Sequence, residues 1–128
     1  MYEYVNFEEL KGKVLVDIKG LKEGNDVVRF ITNTGETYRM FHFQECCEYV
    51  SIEDVCGSVS DLIGSEILMA EEAVSPDDKE ALRDWDESYT WTFYKLATVK
   101  GYVTIRWYGT SNGFYSERVD FVKEENLS

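Results

Sequence analysis

The final third of the chain carries aromatic and cationic side chains that could bind an anionic ring. Aromatic faces beside guanidinium groups suit stacking on a flat ring, and the cations suit a phosphate or a carboxylate. The set therefore predicts a site for a small anionic, nucleotide-like ligand. Its aromatic members are Trp91, Phe93 and Tyr108, and its cationic members are Lys95, Arg106 and Arg118.

A second group of reactive residue types lies close together in the sequence and consists of His42, Gln44, Cys46, Cys47 and Glu48. Their spacing matches no paired-cysteine zinc motif, and adjacent cysteines rarely both bind one tetrahedral ion, so no metal site is predicted. A small hydrolase that uses His42 with nearby carboxylates or a cysteine is the alternative function. A packed, hydrogen-bonded histidine is the simpler interpretation, and no catalytic residue is assigned.

The cysteines also indicate a redox setting. The chain contains three, and Cys46 is adjacent to Cys47. A bridge between neighbours strains the peptide that joins them, so we expect these two residues to stay unbridged. A reduced, intracellular protein fits this pattern best.

The elements that position the candidate residues are predicted to be antiparallel strands. Alternating patterns predict a three-stranded meander over 89–99, 102–109 and 114–122, with turns at Lys100-Gly101 and Ser111-Asn112-Gly113. In this register one face of the meander holds the candidate binding residues and the other face is apolar. The apolar face consists of Tyr94, Leu96, Val103, Ile105, Trp107, Val119 and Phe121.

An acidic helix offers a competing explanation for the cations on this meander. Ser75-Pro76-Asp77-Asp78 has the composition of a helix start, and the predicted helix covers 76–85. If this helix folds over the meander, Asp84 and Asp86 would pair with the cations, and the face would be structural. Both explanations hold if the helix is a lid over a ligand.

The strand and turn signals along the chain predict a mainly antiparallel β fold of seven or eight strands. Two short helices are expected in addition, and the sheet is predicted to form a strongly curved sheet or a small barrel-like sandwich. Short helical turns are predicted after Asn6 and after Ser58. The earlier strands are predicted near 14–18, 27–32, 36–43, 48–55 and 67–74.

Length and charge restrict the classes of function. A chain of 128 residues allows one domain, with a core over about 11–122. The net charge of −12 repels nucleic acid and anionic membranes at long range. No apolar run approaches the ~20 residues of a membrane-spanning helix. We expect a cytoplasmic protein that needs no cofactor and binds neither nucleic acid nor membrane.

Three stretches of the chain are the most distinctive: His42-x-Gln44-x-Cys46-Cys47-Glu48, Tyr89-Thr90-Trp91-Thr92-Phe93-Tyr94 and Arg106-Trp107-Tyr108-Gly109-x-Ser111-Asn112-Gly113. They resemble a family of small proteins of unknown function that bacteriophages and prophages encode. The resemblance implies an accessory protein in the cytoplasm of a host bacterium that acts by binding rather than by catalysis. Its target would be either a host protein, met through the acidic surface, or a small anionic ligand. The sequence does not decide whether the protein forms a homodimer.

Overall fold

The computed structural model describes residues 2–75, 88–113 and 115–124. Within these ranges the chain forms nine β-strands and two 3-10 turns. The turns are η1 (Phe7–Leu10) and η2 (Val59–Leu62). The strands are β1 (Tyr2–Tyr4), β2 (Leu15–Lys19), β3 (Val27–Thr32), β4 (Thr37–Phe41), β5 (Tyr49–Cys56), β6 (Met69–Ser75), β7 (Ser88–Thr98), β8 (Gly101–Ser111) and β9 (Asp120–Glu124).

The strands form two antiparallel sheets. The first sheet has the order β1-β9-β4-β3-β2, and the second has the order β5-β8-β7-β6. Strand alternation explains the packing, since Val28, Phe30 and Thr32 of β3 are buried while the residues between them are more exposed. The mainly antiparallel β class is therefore confirmed. Each sheet keeps two edge strands among the described residues, so the barrel-like closure that the sequence allowed is not found.

One hydrophobic core lies between the inner faces of the two sheets. Trp107 of the second sheet donates its indole N–H to the Met40 Sδ of the first sheet, at 3.2 Å. Tyr38 stacks on Phe121 with ring centroids 5.5 Å apart. The residues predicted for the apolar face of the meander are all buried in this core: Tyr94, Leu96, Val103, Ile105, Trp107, Val119 and Phe121.

The β7–β8 hairpin preserves the predicted faces although its turn differs from the prediction. Thr98 pairs with Gly101, so the turn is Val99-Lys100 instead of Lys100-Gly101. The Thr98 hydroxyl fixes this turn because it accepts a hydrogen bond from the Lys100 amide at 3.1 Å and donates to the Asp61 carbonyl. The change slides every pairing by two residues, and a two-residue slip leaves each side chain on its predicted face.

The predicted third strand of the meander is wrong. The strand β9 lies between β1 and β4 in the first sheet, and β8 pairs with β5 on the side where the third strand was expected. Ser111-Asn112-Gly113 is therefore not a hairpin turn. The alternating pattern of 119–122 specifies which side chains enter the core, but the core belongs to both sheets, so the pattern did not specify the neighbouring strand.

The prediction of two short helices is also wrong for the residues that the structure describes. The segments after Asn6 and Ser58 form the 3-10 turns η1 and η2 and do not continue as α-helices. Asn6 does cap η1, because its side chain accepts a hydrogen bond from the Glu8 amide at 3.0 Å. The predicted helix over 76–85 lies outside the described residues.

Candidate functional site

Five of the six predicted binding residues share the outer face of the second sheet. The hairpin register places Trp91 opposite Tyr108 and Phe93 opposite Arg106. The residues between them, including Thr92 and Trp107, are buried toward the core. We call the outward set of Trp91, Phe93, Lys95, Arg106 and Tyr108 the aromatic face.

The rings of the aromatic face contact one another and the guanidinium group. The ring centroids of Trp91 and Tyr108 are 4.4 Å apart, and Tyr89 lies 6.0 Å from Tyr108. The Arg106 Cζ lies 4.8 Å from the centroid of Trp91. A cation over an indole ring is attracted by the negative face of its π-system. The contacts therefore hold a cluster of tilted aromatic rings and a cation side by side.

Among the described residues, the Arg106 side chain has one hydrogen-bonding partner and one unused buried donor. Its Nη2 donates to the Asp54 carboxylate of β5, and each side chain of this pair is 37% exposed. Its Nε is buried and has no hydrogen-bond partner among the residues that the structure describes. A buried N–H without an acceptor is unfavourable, so this donor favours an acceptor brought by another molecule.

Lys95 supplies a second cation on the aromatic face. It is exposed, and Glu71 of β6 faces it in register. Within the described ranges, however, its ammonium group has no carboxylate within ion-pair distance. Lys95 is therefore available to an anionic group.

Arg118 does not belong to the aromatic face. Because β9 joins the first sheet, Arg118 lies just before that strand and lines a cleft together with Thr90 and Thr92. These threonines alternate with Trp91 along β7 and point to the other side of the sheet. The Arg118 Nε lies 3.4 Å from an Asp120 carboxylate oxygen, and the arginine side chain is 73% exposed.

His42 and Glu48 form a buried pair that closes the loop between β4 and β5. His42 Nε2 lies 2.9 Å from a Glu48 carboxylate oxygen, and His42 Nδ1 lies 2.7 Å from the Arg118 carbonyl. The two side chains are 3% and 0% exposed. Both partners of the ring accept hydrogen bonds, so the arrangement fits an imidazolium that donates from each nitrogen. This is the geometry of a packed, hydrogen-bonded histidine.

The Glu48 carboxylate also organises the loop around it. It accepts hydrogen bonds from the backbone amides of Glu45 at 3.0 Å and Cys46 at 2.8 Å, and Gln44 Nε2 lies 3.2 Å from it. Burial alone would raise the pKa of Glu48, but the hydrogen bond from His42 and those backbone amides outweigh it and hold the pKa at about 2. The five residues of the second predicted group therefore come together mainly as a structural loop.

The expectation that Cys46 and Cys47 stay unbridged is wrong in this structure, which joins them in a disulfide. The hydrogen bonds from Glu45 and Cys46 to Glu48 bend the loop tightly, and the two sulfur atoms meet within that bend. Cys56 is a free, exposed cysteine at the end of β5. With the disulfide formed, neither Cys46 nor Cys47 offers a thiol that His42 could activate.

Glu117, which was not among the predicted site residues, anchors the segment between β8 and β9 by hydrogen bonds. Glu117 is buried and accepts hydrogen bonds from the hydroxyls of Thr90, at 2.7 Å, and Ser111. Gly109 packs so close that an added Cβ would lie 2.9 Å from the Glu117 carbonyl oxygen. Polar residues at core-facing strand positions, such as Thr90, were the available signal, because a buried hydroxyl requires a hydrogen-bonding partner.

The described residues contain neither a membrane-spanning helix nor a cluster of metal-ligating side chains. Residues 2–75, 88–113 and 115–124 contain no helix that is long and apolar enough to cross a membrane. The same ranges bring no three His, Cys, Asp or Glu side chains together as ligands for a metal ion.

Comparison with known proteins gives a family and no assigned activity. The family model DUF7448, a domain of unknown function, matches residues 8–121. The match confirms the resemblance to a family of unknown function, and the bacteriophage setting stays an expectation. The curated proteins and the solved structures give no match.

Proposed function

We propose that this chain, which belongs to the DUF7448 family, binds a small anionic ligand with a planar ring on its aromatic face. The observation that carries the proposal is Arg106, which contacts the Trp91 ring and has a buried donor that no other described residue accepts from. The protein would act by binding, as an accessory protein of phage type in a bacterial cytoplasm.

The ring of the ligand would lie against Trp91 and Tyr108. Stacking on aromatic side chains is worth about 1–3 kcal/mol per base and tolerates different bases. The contact between these two residues already orders the surface, with centroids 4.4 Å apart, so little side-chain freedom is lost on binding. A planar heterocycle is therefore favoured over an aliphatic anion.

The anionic group of the ligand would lie against Arg106 and Lys95. Carboxylates compete for both cations, since Asp54 is bonded to Arg106 and Glu71 faces Lys95. The face therefore lacks the excess of positive charge that a triphosphate needs, and the net charge of −12 adds long-range repulsion. We infer a ligand with one or two negative charges, such as a mononucleotide.

The spacing of the face also limits the size of the ligand. Trp91 and Lys95 are four residues apart on β7, which is about 13 Å at ~3.3 Å per residue. Phe93 and Arg106 lie between these ends as a cross-strand pair. A single nucleotide can therefore contact the indole and a cation together, whereas inorganic phosphate contacts only the cations.

The hydrolase alternative receives little support from the described residues. A general base must reach the proton that it removes, but the side chains of His42 and Glu48 are 3% and 0% exposed. Both ring nitrogens of His42 already have partners. An activity that survives in His42→Ala would exclude this mechanism, and an activity that this substitution abolishes without unfolding would restore it.

The experiment is a binding titration with AMP, cyclic AMP, ATP and ribose 5-phosphate. We expect the two mononucleotides to raise the melting temperature, ATP to bind more weakly, and ribose 5-phosphate to have the least effect because it has no aromatic ring. Arg106→Ala should remove the response. Arg29→Ala is the matched control, because Arg29 is also a half-exposed arginine on a strand and also pairs with a carboxylate, that of Glu124.

The acidic surface defines the other class of target. Glu71 and Glu72 are exposed on the edge strand β6, and residues 71–87 hold eight of the acids. A basic host protein would form a salt-sensitive complex with such a surface. If no nucleotide changes the melting temperature and a complex isolated from bacterial lysate dissociates at high salt, the nucleotide proposal is refuted in favour of this one.

A further inference from the structure

A cleft of about 750 Å³ opens between the two sheets, where β1 and β6 are the edge strands. This volume lies within the roughly 300–1,000 Å³ that small-molecule sites occupy. Thr90 and Thr92 line it from the core-facing side of β7, so the cleft is separate from the aromatic face. Phe7, Val119 and Phe121 form its apolar floor.

A buried hydroxyl without a partner lies behind this floor. The Tyr94 Oη is buried and has no hydrogen-bond partner among the described residues. The Tyr94 ring packs on Phe7 with centroids 4.7 Å apart, and its cross-strand partner is Glu72. Both of these neighbours line the cleft. Burial and the nearby charge of Glu72 raise the pKa of Tyr94, so the phenol keeps its proton and adds no charge beneath the cleft.

Opposite charges stand on the two sides of the cleft. Glu72 lines it from β6, and Arg118 lines it from the segment before β9. The Arg118 Nε lies 3.4 Å from an Asp120 carboxylate oxygen, and the arginine side chain as a whole is 73% exposed. Neither Glu72 nor Arg118 forms an ion pair with the other.

We propose that the cleft binds a free α-amino acid with an apolar side chain. The carboxylate of the ligand would pair with Arg118 and its ammonium group with Glu72. The apolar side chain would cover Phe7 and Val119. A zwitterion carries one group for Arg118 and one for Glu72 across the apolar floor, whereas a nucleotide would place its phosphate near Glu72 and near Glu117, which also lines the cleft.

The first test compares L-phenylalanine with two analogues that each lack one charge. These are 3-phenylpropanoate, which has no ammonium group, and 2-phenylethylamine, which has no carboxylate. The amide resonances of Thr90, Thr92 and Val119 should shift when L-phenylalanine is added. Each analogue should bind with an affinity at least about tenfold lower than that of L-phenylalanine, because it loses one charge-assisted contact. Equal affinity of all three compounds, or no shift of these amides, would overturn the proposal.

The second test uses variants of the cleft. Arg118→Gln and Glu72→Gln should each lower the affinity for L-phenylalanine by about tenfold or more. Arg29→Gln, on the outer side of β3, should leave that affinity unchanged. Unchanged affinity in both charge variants would refute the proposal.

Discussion

Replacing Arg106 with alanine separates a binding role from a structural role, because its contacts in the free protein are weak. The ion pair with Asp54 is 37% exposed on each side, and such pairs contribute about 0.2–1 kcal/mol. The contact with Trp91 at 4.8 Å adds about 0.5–1 kcal/mol. The substitution also removes the buried Nε, which has no hydrogen-bond partner within the part of the chain that the structure describes, and this offsets part of the loss. We expect Arg106→Ala to lower the free energy of unfolding by no more than about 1–2 kcal/mol.

The effect on the ligand should be larger. A charge-assisted hydrogen bond to a phosphate is worth about 1.5–3 kcal/mol, which corresponds to roughly 10–150-fold in affinity. Urea unfolding would give the stability of Arg106→Ala and Arg29→Ala, and isothermal titration calorimetry with AMP would give their affinities. Arg29→Ala should show a similar loss of stability from its pair with Glu124 and an unchanged affinity.

The opposite pattern would refute this reasoning. If Arg106→Ala lowers the free energy of unfolding by more than about 3 kcal/mol and AMP binds the intact variant as before, the arginine is a structural residue. The competing interpretation from the sequence, in which Asp84 and Asp86 pair with the cations, predicts such a loss of stability and no binding of AMP.

Three further predictions concern stability. Gly109→Ala should destabilise the fold by about 1–3 kcal/mol in urea unfolding, because its Cβ would lie 2.9 Å from the Glu117 carbonyl oxygen, and a smaller cost would show that the backbone shifts freely. Trp107→Phe should lower the free energy of unfolding by about 2 kcal/mol in the same assay, since it leaves a cavity and removes the hydrogen bond to Met40. An unchanged free energy of unfolding would mean that neighbouring side chains repack into the cavity. Glu48→Gln should melt below the wild type at pH 7. That difference should shrink as the pH falls from about 4.5 toward 2, because the folded pKa of Glu48 is about 2 and lies below its ordinary value. A constant difference would contradict the assigned pKa.

The faces of the β7–β8 hairpin could be predicted from the sequence because side chains alternate with a period of two. An error of two residues in the pairing left Trp91 and Arg106 on the outer face and Ile105 in the core. Face assignments therefore tolerate such a slip, and the composition of the aromatic face follows from alternation alone.

The place of Arg118 could not be predicted in the same way. Alternation shows that Val119 and Phe121 enter a core, but two sheets share this core, so the pattern does not identify the sheet that β9 joins. The choice depends on contacts distant in sequence, such as the pairing of Met40 with Phe121. The cleft that Arg118 lines could not be predicted for the same reason.

The loop of Cys46 and Cys47 shows a different limit. The expectation that they stay unbridged considered only the two residues, whereas the bend of the loop depends on the Glu48 carboxylate and its backbone donors. Glu48 is in turn held by His42, at the end of the preceding strand. Sequence spacing placed these groups near one another, but the hydrogen bonds that join them could not be derived from spacing.

The most direct measurement is an NMR titration of the indole N–H resonances with AMP. The chain has three tryptophans, of which Trp91 lies on the aromatic face and Trp107 is buried in the core. A ring that stacks on the aromatic face should shift the Trp91 resonance with saturation and leave Trp107 in place, and Arg106→Ala should abolish the shift. A Trp91 resonance that stays unmoved at saturating AMP, or one that moves equally in Arg106→Ala, would contradict the proposed ligand-binding face.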